Sequence, residues 1–249
     1  MKQIFTTAIS TLFVLVLTSC SSDNTNETVN NNDAILLKKL VEVYEDGTQE
    51  SATYTYNGTK LATATYSNGR REITTYTGDL ITTVETYDNN ILTGEELFVY
   101  DTDNRIITHT TRYLDENNGY KNTFAYNNDG TIATQEFYGD AVTQTSLSNS
   151  GVLTVVDDNV MRHVFSFNGL SESVGYFTYD TKNNPNRNVT GFKQYSIATI
   201  YGGVNNITSR NDGSAVFTTN YTYNTDNYPI SGIQTNNVGE GVRRIYYTY

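Results

Sequence analysis

The sequence predicts an all-β fold, a repetitive antiparallel β-meander that twists or curls, with a β-sandwich or an open barrel as alternative closures. Three observations predict it. From Ile35 onward Thr, Tyr, Val, Ile and Phe dominate, the residues that suit a pleated, half-buried surface, and helical periodicity is nearly absent. A tyrosine directly before turn material recurs at Tyr56, Tyr66, Tyr76, Tyr87, Tyr100, Tyr113, Tyr126 and Tyr138, at intervals of 10 to 13 residues, the length of one strand plus one turn. Asn, Asp and Gly fill the punctuation, whereas Pro occurs only at Pro185 and Pro229, as expected where most strands are internal and each N–H is needed in a ladder.

The chain opens with an address. Lys2 precedes an apolar run from Ile4 to Leu17, which is the length of a secretory h-region and too short for a spanning helix of about 20 residues. Leu17-Thr18-Ser19-Cys20 resembles the bacterial lipobox and contains the only cysteine of the 249 residues. The expectation is therefore a lipoprotein signal peptide over 1–19 and a lipidated Cys20 as the mature N-terminus, held to the membrane by its acyl chains. Residues 20–34 are polar, with an isolated Val29, and read as a flexible tether. Asp23 and Glu27 in it are similar to the acidic surface-export signals of Bacteroidota lipoproteins.

A single β domain is expected over 35–249. Asn-Gly at 57–58, 68–69, 118–119 and 168–169 and Asp129-Gly130 suit tight hairpin turns, the Asn-Gly pairs being placed for the type I′ form, in which both central residues take positive φ. Alternation within strands is softened by threonine, as in Ile106-Ile107-Thr108-His109-Thr110-Thr111-Arg112-Tyr113. Because successive antiparallel strands reverse direction, tyrosines that end every strand should form two rows, one near each edge of the sheet. The pattern weakens between Tyr138 and Val174.

Composition excludes several functions. With 27 Asp and Glu against 16 Lys and Arg the net charge is −11, so no nucleic-acid partner is expected, since such binding depends on clustered cations. One cysteine allows no internal disulfide, and two histidines leave little stock for a metal cage. His109 and His163 have no nucleophile or acid at a recognised spacing. The pairs Glu95-Glu96, Asp115-Glu116 and Asp157-Asp158 are adjacent acids that should point apart rather than face each other across a cleft. Asp101-Thr102-Asp103-Asn104 reads as a turn, because an EF-hand would need Gly and Glu where Ile106 and Arg112 stand. No catalytic residue, metal or cofactor is assigned.

Tyr100-Asp101-Thr102-Asp103-Asn104-Arg105-Ile106-Ile107-Thr108 resembles the YD repeat of the RHS family, Tyr-Asp-x-x-Gly-Arg-Leu, with Asn104 in the glycine position. Tyr126-Asn127-Asn128-Asp129-Gly130-Thr131-Ile132 is a looser copy. Tyr221-Thr222-Tyr223-Asn224-Thr225-Asp226-Asn227-Tyr228-Pro229 and the final Tyr246-Tyr247-Thr248-Tyr249 are similar to the ends of small Bacteroidota lipoproteins of unknown function. The resemblance implies repeated strand-and-turn architecture and no particular activity. Taken together, the residues point to a non-catalytic lipoprotein of the cell envelope, in the outer membrane with the leaflet open, acting as a binding or structural module. Its expected partners are the membrane, through the anchor, and a glycan or protein ligand. The binding candidates are Tyr54, Tyr56, Tyr66, Tyr76 and Tyr87, which either stack on a ligand or serve as the sheet's own cross-strand packing. The rival reading is a carbohydrate-active surface protein, a glycan binder or a glycoside hydrolase.

Overall fold

The structure, a computed structural model, describes residues 34–167, 169, 171–198, 202–239 and 241–249. Cys20, the signal segment and the tether up to residue 33 lie outside the described residues. Among the described residues sixteen strands and one helix follow in chain order: β1 (Lys39–Val43), β2 (Gln49–Asn57), β3 (Lys60–Tyr66), β4 (Arg71–Thr77), β5 (Leu80–Asp88), β6 (Ile91–Tyr100), β7 (Ile106–Tyr113), β8 (Asn118–Tyr126), β9 (Thr131–Gly139), β10 (Gln144–Val156), β11 (Asn159–Phe167), β12 (Ser171–Tyr179), α1 (Phe192–Ala198), β13 (Ile207–Asn211), β14 (Val216–Tyr223), β15 (Pro229–Asn236) and β16 (Arg243–Thr248). Each strand pairs antiparallel with its sequence neighbours, and β1 pairs with β16 through Leu40↔Tyr247, closing a barrel.

The fold is all-β and antiparallel as expected, and of the expected forms the open barrel comes nearest, except that the barrel is closed; neither a merely curled sheet nor a sandwich forms. Thr-rich strands carry too little apolar surface for a two-layer core. Continued twist brings the ends of the meander together instead, so that no ladder edge stays unpaired. Even-numbered strands end at one rim, called here the upper rim, and odd-numbered strands at the lower. Pro229 opens β15, the one strand position where a missing N–H is tolerated without breaking a ladder.

A repeated bulge explains the softened alternation. Where a strand leaves the upper rim, one of its first residues is extra: Ala62 between the pairs Tyr56↔Leu61 and Thr55↔Thr63, Thr82 between Tyr76↔Ile81 and Thr75↔Thr83, and Ile107 between Tyr100↔Ile106 and Val99↔Thr108. Inward residues in these strands are therefore three apart, as in Ile81 and Val84 or Ile106 and His109, and a search at period two misses them.

Several turns differ from expectation. Gly58 and Gly69 take positive φ (61° and 92°), but Asn57 and Asn68 do not, so these are not type I′ turns. Asn118-Gly119 lies inside β8, and Asn168 is outside the described residues. Type I′ geometry occurs instead at Asn89-Asn90 (50° and 65°) and Asp157-Asp158 (49° and 62°), which makes the latter acid pair a hairpin turn.

The β12–β13 connection is the one long departure from the meander. Its described residues, 180–198 and 202–206, fold inward across the upper rim instead of turning back. Their bonds reach around the mouth: Asn183 N–H to the Asn227 carbonyl at 3.0 Å, Asn188 Nδ2 to the Ile35 carbonyl at 3.0 Å, Thr190 N–H to the Thr59 carbonyl at 3.0 Å, and Lys193 Nζ to Asp158 at 2.8 Å. Helix α1, within this segment, packs Ala198, Tyr195 and Ile197 against Ile81, Phe98, Ile106, Ile132, Leu153 and Val160, so the core lies inside the barrel, between wall and insert.

Candidate functional site

The tyrosines fall in two rows at opposite rims, as the reversal of strands requires. Tyr56, Tyr76, Tyr100, Tyr126, Tyr179 and Tyr223 end even-numbered strands, and Tyr66, Tyr87 and Tyr113 end odd-numbered ones. Those of the upper row turn inward and bind the frame. Tyr56 donates to the Leu37 carbonyl at 2.7 Å, Tyr126 to Ile106 at 3.0 Å, Tyr179 to Val160 at 2.9 Å, and the Tyr76 hydroxyl accepts from the Leu61 N–H at 3.0 Å. Burial raises the pKa of all four phenols, with Tyr126 pushed up to about 12. Tyr66 also faces inward and donates to Glu72 at 2.9 Å. Tyr87, beyond a bulge, lies on the outer face, donating to Glu85 at 2.9 Å beneath the Arg71 guanidinium. Of the five candidate tyrosines, only Tyr54 lines the lumen cavity described next.

That cavity, of about 340 Å³, lies between β1–β2, β13–β16 and the inserted Pro185-Asn186. Its position follows from strand facing. Cross-strand partners share a face, so the pairs Leu40↔Tyr247, Glu42↔Ile245, Arg210↔Phe217 and Gln234↔Arg243 all point into the lumen. Leu37 and Ile207 form the apolar end near the insert, whereas Glu42, Arg243, Gln234 and Arg210 sit nearer the lower rim. Arg243 Nη1 bonds Glu42 Oε1 at 3.2 Å, and the Arg210 guanidinium lies 4.2 Å over the Phe217 ring with Asp212 at 3.9 Å. Between them Gln234 Nε2 donates to Thr219 Oγ1 at 3.3 Å, and Tyr221 donates to the Ile207 carbonyl at 3.1 Å. Burial, with Glu72 and Glu42 nearby, pushes Tyr54 up to about 12, and burial raises Tyr247 further. Both phenols stay protonated at neutral pH and present O–H groups to the cavity.

The other candidates resolve into structural roles. His109 does have an acid partner, Glu96, across the β6–β7 ladder at 2.9 Å from Nε2, and its ring stacks on Phe98 at 4.7 Å. The residues come 13 apart in sequence and meet only through hairpin register. Glu95 points outward to Arg112 at 3.4 Å, so Glu95 and Glu96 diverge. His163 is buried against Phe165, Phe177 and the bare face of Gly175, and this burial lowers its pKa. Asp101 closes its turn on its own chain, accepting from the Asp103 and Arg105 N–H groups at 2.9 Å each and pairing with the Arg105 guanidinium at 2.7 Å, and Asn104 takes a φ of 61°. Among the described residues no three His, Cys, Asp or Glu gather as a metal site, and no helix is long and apolar enough to cross a membrane.

Sequence reasoning missed Arg210 and Arg243, since nothing marks a lone arginine as inward until its strand's facing is known. No protein-family model matches the chain, and no curated protein does. Among solved structures it is similar to a porin-like protein from Bacteroides uniformis ATCC 8492, at 14% identity and a TM-score of 0.53, covering 85% of this chain and 96% of that one. It is also similar to a porin-like protein from Bacteroides vulgatus ATCC 8482, at 14% identity and a TM-score of 0.55, covering 87% and 99%. At that identity the likeness is one of fold, a closed antiparallel barrel.

Proposed function

We propose that the protein is a non-catalytic binding barrel of the cell envelope, tethered through a lipidated Cys20, which stands in water and holds a small ligand in its lumen rather than conducting through it. The observation that carries this reading is the insert between β12 and β13, whose described residues 180–198 and 202–206 cross the upper rim and leave a polar cavity behind them. The outer face supports the aqueous setting. A membrane barrel needs an outward apolar band about 25 Å tall. Here the outward residues include Thr53 and Thr55 on β2, Arg71 and Thr75 on β4, Thr83 and Glu85 on β5, Lys121 and Thr123 on β8, and Arg162 and Ser166 on β11. Apolar residues also stand on this face: Val99, Tyr176, Ile233 and Tyr246 are exposed singly, and Ala125, Ala133, Val152, Val164 and Val174 form one row across β8–β12, a patch on part of the wall rather than a belt around it.

The envelope setting draws on the lipobox-like Leu17-Thr18-Ser19-Cys20 and on the fold shared with porin-like proteins of Bacteroides. Lipid labelling combined with detergent phase separation tests the reading. Wild type should take up label and enter the detergent phase, whereas Cys20→Ala should take up none and stay in the aqueous phase with its β-sheet signal intact. An unlabelled Cys20→Ala barrel that still needs detergent would overturn the reading, because the strands themselves would then be lipid-facing.

A further inference from the structure

We infer that the lumen cavity is a binding site for a neutral sugar, a mono- or disaccharide, whose ring rests on Tyr221 and whose hydroxyls are met by Tyr54, Asn186, Gln234 and Arg243. The inference rests on the reading of the barrel as a binding module and names the chemistry of its ligand.

Charge is the first argument, because the lining leaves none over. Glu42 holds Arg243 through Nη1 at 3.2 Å, and Arg210, lying over Phe217, has Asp212 at 3.9 Å. An ionic ligand would have to break one of these pairs or lie unpaired inside the wall, and an anion would also meet the field of a chain with a net charge of −11. A neutral ligand meets neither penalty.

Unused hydrogen-bonding capacity is the second. Among the described residues the Tyr54 hydroxyl has no hydrogen-bond partner, Gln234 uses only its Nε2, toward Thr219 at 3.3 Å, Asn186 uses only its backbone groups, and Arg243 bonds only through Nη1. All four line the cavity. They leave an acceptor in Gln234 Oε1, a donor in Arg243 Nη2 and both kinds in the Asn186 amide and the Tyr54 O–H. An apolar ligand would strip water from these groups and return no bond, whereas each sugar hydroxyl both donates and accepts.

A fixed aromatic face is the third. Tyr221 stands opposite Gly232 on β15, and a Cβ added to that glycine would lie 3.0 Å from the tyrosine Cδ1 and 3.1 Å from its Cε1. The bare glycine lets the ring lie along the wall, and the bond of its hydroxyl to the Ile207 carbonyl at 3.1 Å holds the far end. A ring fixed at both ends offers the C–H side of a sugar a stacking surface with little side-chain entropy to lose. The cavity volume of about 340 Å³ falls at the low end of the roughly 300–1,000 Å³ of small-molecule sites, which suits one or two sugar rings.

Titration calorimetry on the purified full chain tests this, with D-glucose, D-galactose, maltose and cellobiose as sugar probes and choline, phenylacetate and 2-phenylethanol for comparison. At least one sugar should bind saturably, about tenfold or more tighter than any comparison molecule. Its affinity should hold between about 50 mM and about 500 mM salt, because no net charge is recognised. Tyr54→Phe and Asn186→Ala remove groups that bond nothing in the barrel, so each should weaken that sugar about fivefold with unchanged melting. Tyr221→Leu should weaken it about tenfold, whereas Tyr221→Phe, which also loses the Ile207 bond but keeps the ring, should retain most of the affinity. Arg162→Gln on the outer face should change nothing. Saturable binding of choline, phenylacetate or 2-phenylethanol in place of every sugar, or lumen variants with wild-type affinity, would overturn the sugar inference while leaving a lumen-binding barrel standing. No binding of any of the four sugars to folded wild type would also overturn it. The aqueous or lipid-facing nature of the barrel is decided separately by the partition of Cys20→Ala.

Discussion

The Tyr100 hydroxyl donates a 2.7 Å hydrogen bond to the carbonyl of Ile81, at the start of the preceding strand and 19 residues back in the chain. Tyr56 with Leu37 and Tyr179 with Val160 repeat the bond at the same separation, and Tyr126 with Ile106 and Tyr249 with Pro229 at 20. Each tie spans a whole hairpin and fixes where the returning strand stops, which gives the recurring tyrosine a structural meaning. Tyr100→Phe keeps the ring and leaves a part-buried acceptor short of a donor. We expect a loss of about 1–2 kcal/mol in chemical denaturation, with unchanged secondary structure. No measurable loss would mean that the ring alone does the anchoring.

The Tyr100-Asp101 turn offers a second test. Asn104 occupies left-handed backbone at a φ of 61°, where Gly is at ease and a β-branched residue is strained. Asn104→Gly should leave the melting temperature nearly unchanged, whereas Asn104→Val should cost about 1–2 kcal/mol. Equal effects of the two substitutions would show that the Asn side chain, not the backbone, sets the turn.

How far the sequence could be read follows from these local devices. Strands, turns and the opposed tyrosine rows are local, so Tyr56 and Tyr66 could be placed at opposite edges without a structure. The bulges at Ala62, Thr82 and Ile107 hide the inward face by moving it to a spacing of three. Barrel closure depends on the accumulated stagger of sixteen strands, which no single window contains. The segment 180–206 reads as polar turn material because its asparagines make hydrogen bonds rather than pack in a core, Asn183 and Asn188 to the Asp226 and Ile35 carbonyls and Asn184 and Asn186 within the segment, and α1, of seven residues, is too short to show a helical period. Arg210 and Arg243 meet in one cavity only through closure, so the site was the least legible part.

Protonation of His163 should couple stability to pH. Burial holds its pKa below the ordinary 6.5, with Asp212 opposing and Arg162 reinforcing the shift. The unfolded chain therefore binds more protons than the barrel once the pH falls below about 6.5, and stability present at neutral pH is lost on acidification through that region. Denaturation midpoints of His163→Leu measured between about pH 7 and about pH 5 should vary less steeply than wild type. The ionised Asp101 and Asp129, held below the usual carboxylate range by hydrogen bonds, lose their contribution only at lower pH, so the window isolates the imidazole. Parallel curves for the two proteins would contradict this.

The insert depends on a close backbone approach at Gly202, where an added Cβ would overlap the Ser196 carbonyl. Gly202→Ala should force α1 out of register and cost about 1–3 kcal/mol, the range for overpacking. Proteolysis should then cut within 180–206 while the strands stay protected. A variant as resistant as wild type would mean that the insert tolerates the shift.

Planar-bilayer recording of the purified wild-type chain addresses the central claim most directly, because a binding barrel standing in water and a conducting barrel differ there without reference to any ligand. With the insert across the upper rim and Thr, Arg, Glu and Lys on the outer face, the account requires a silent membrane at every applied voltage. Discrete, reproducible conductance steps that disappear when the protein is heat-denatured would contradict it.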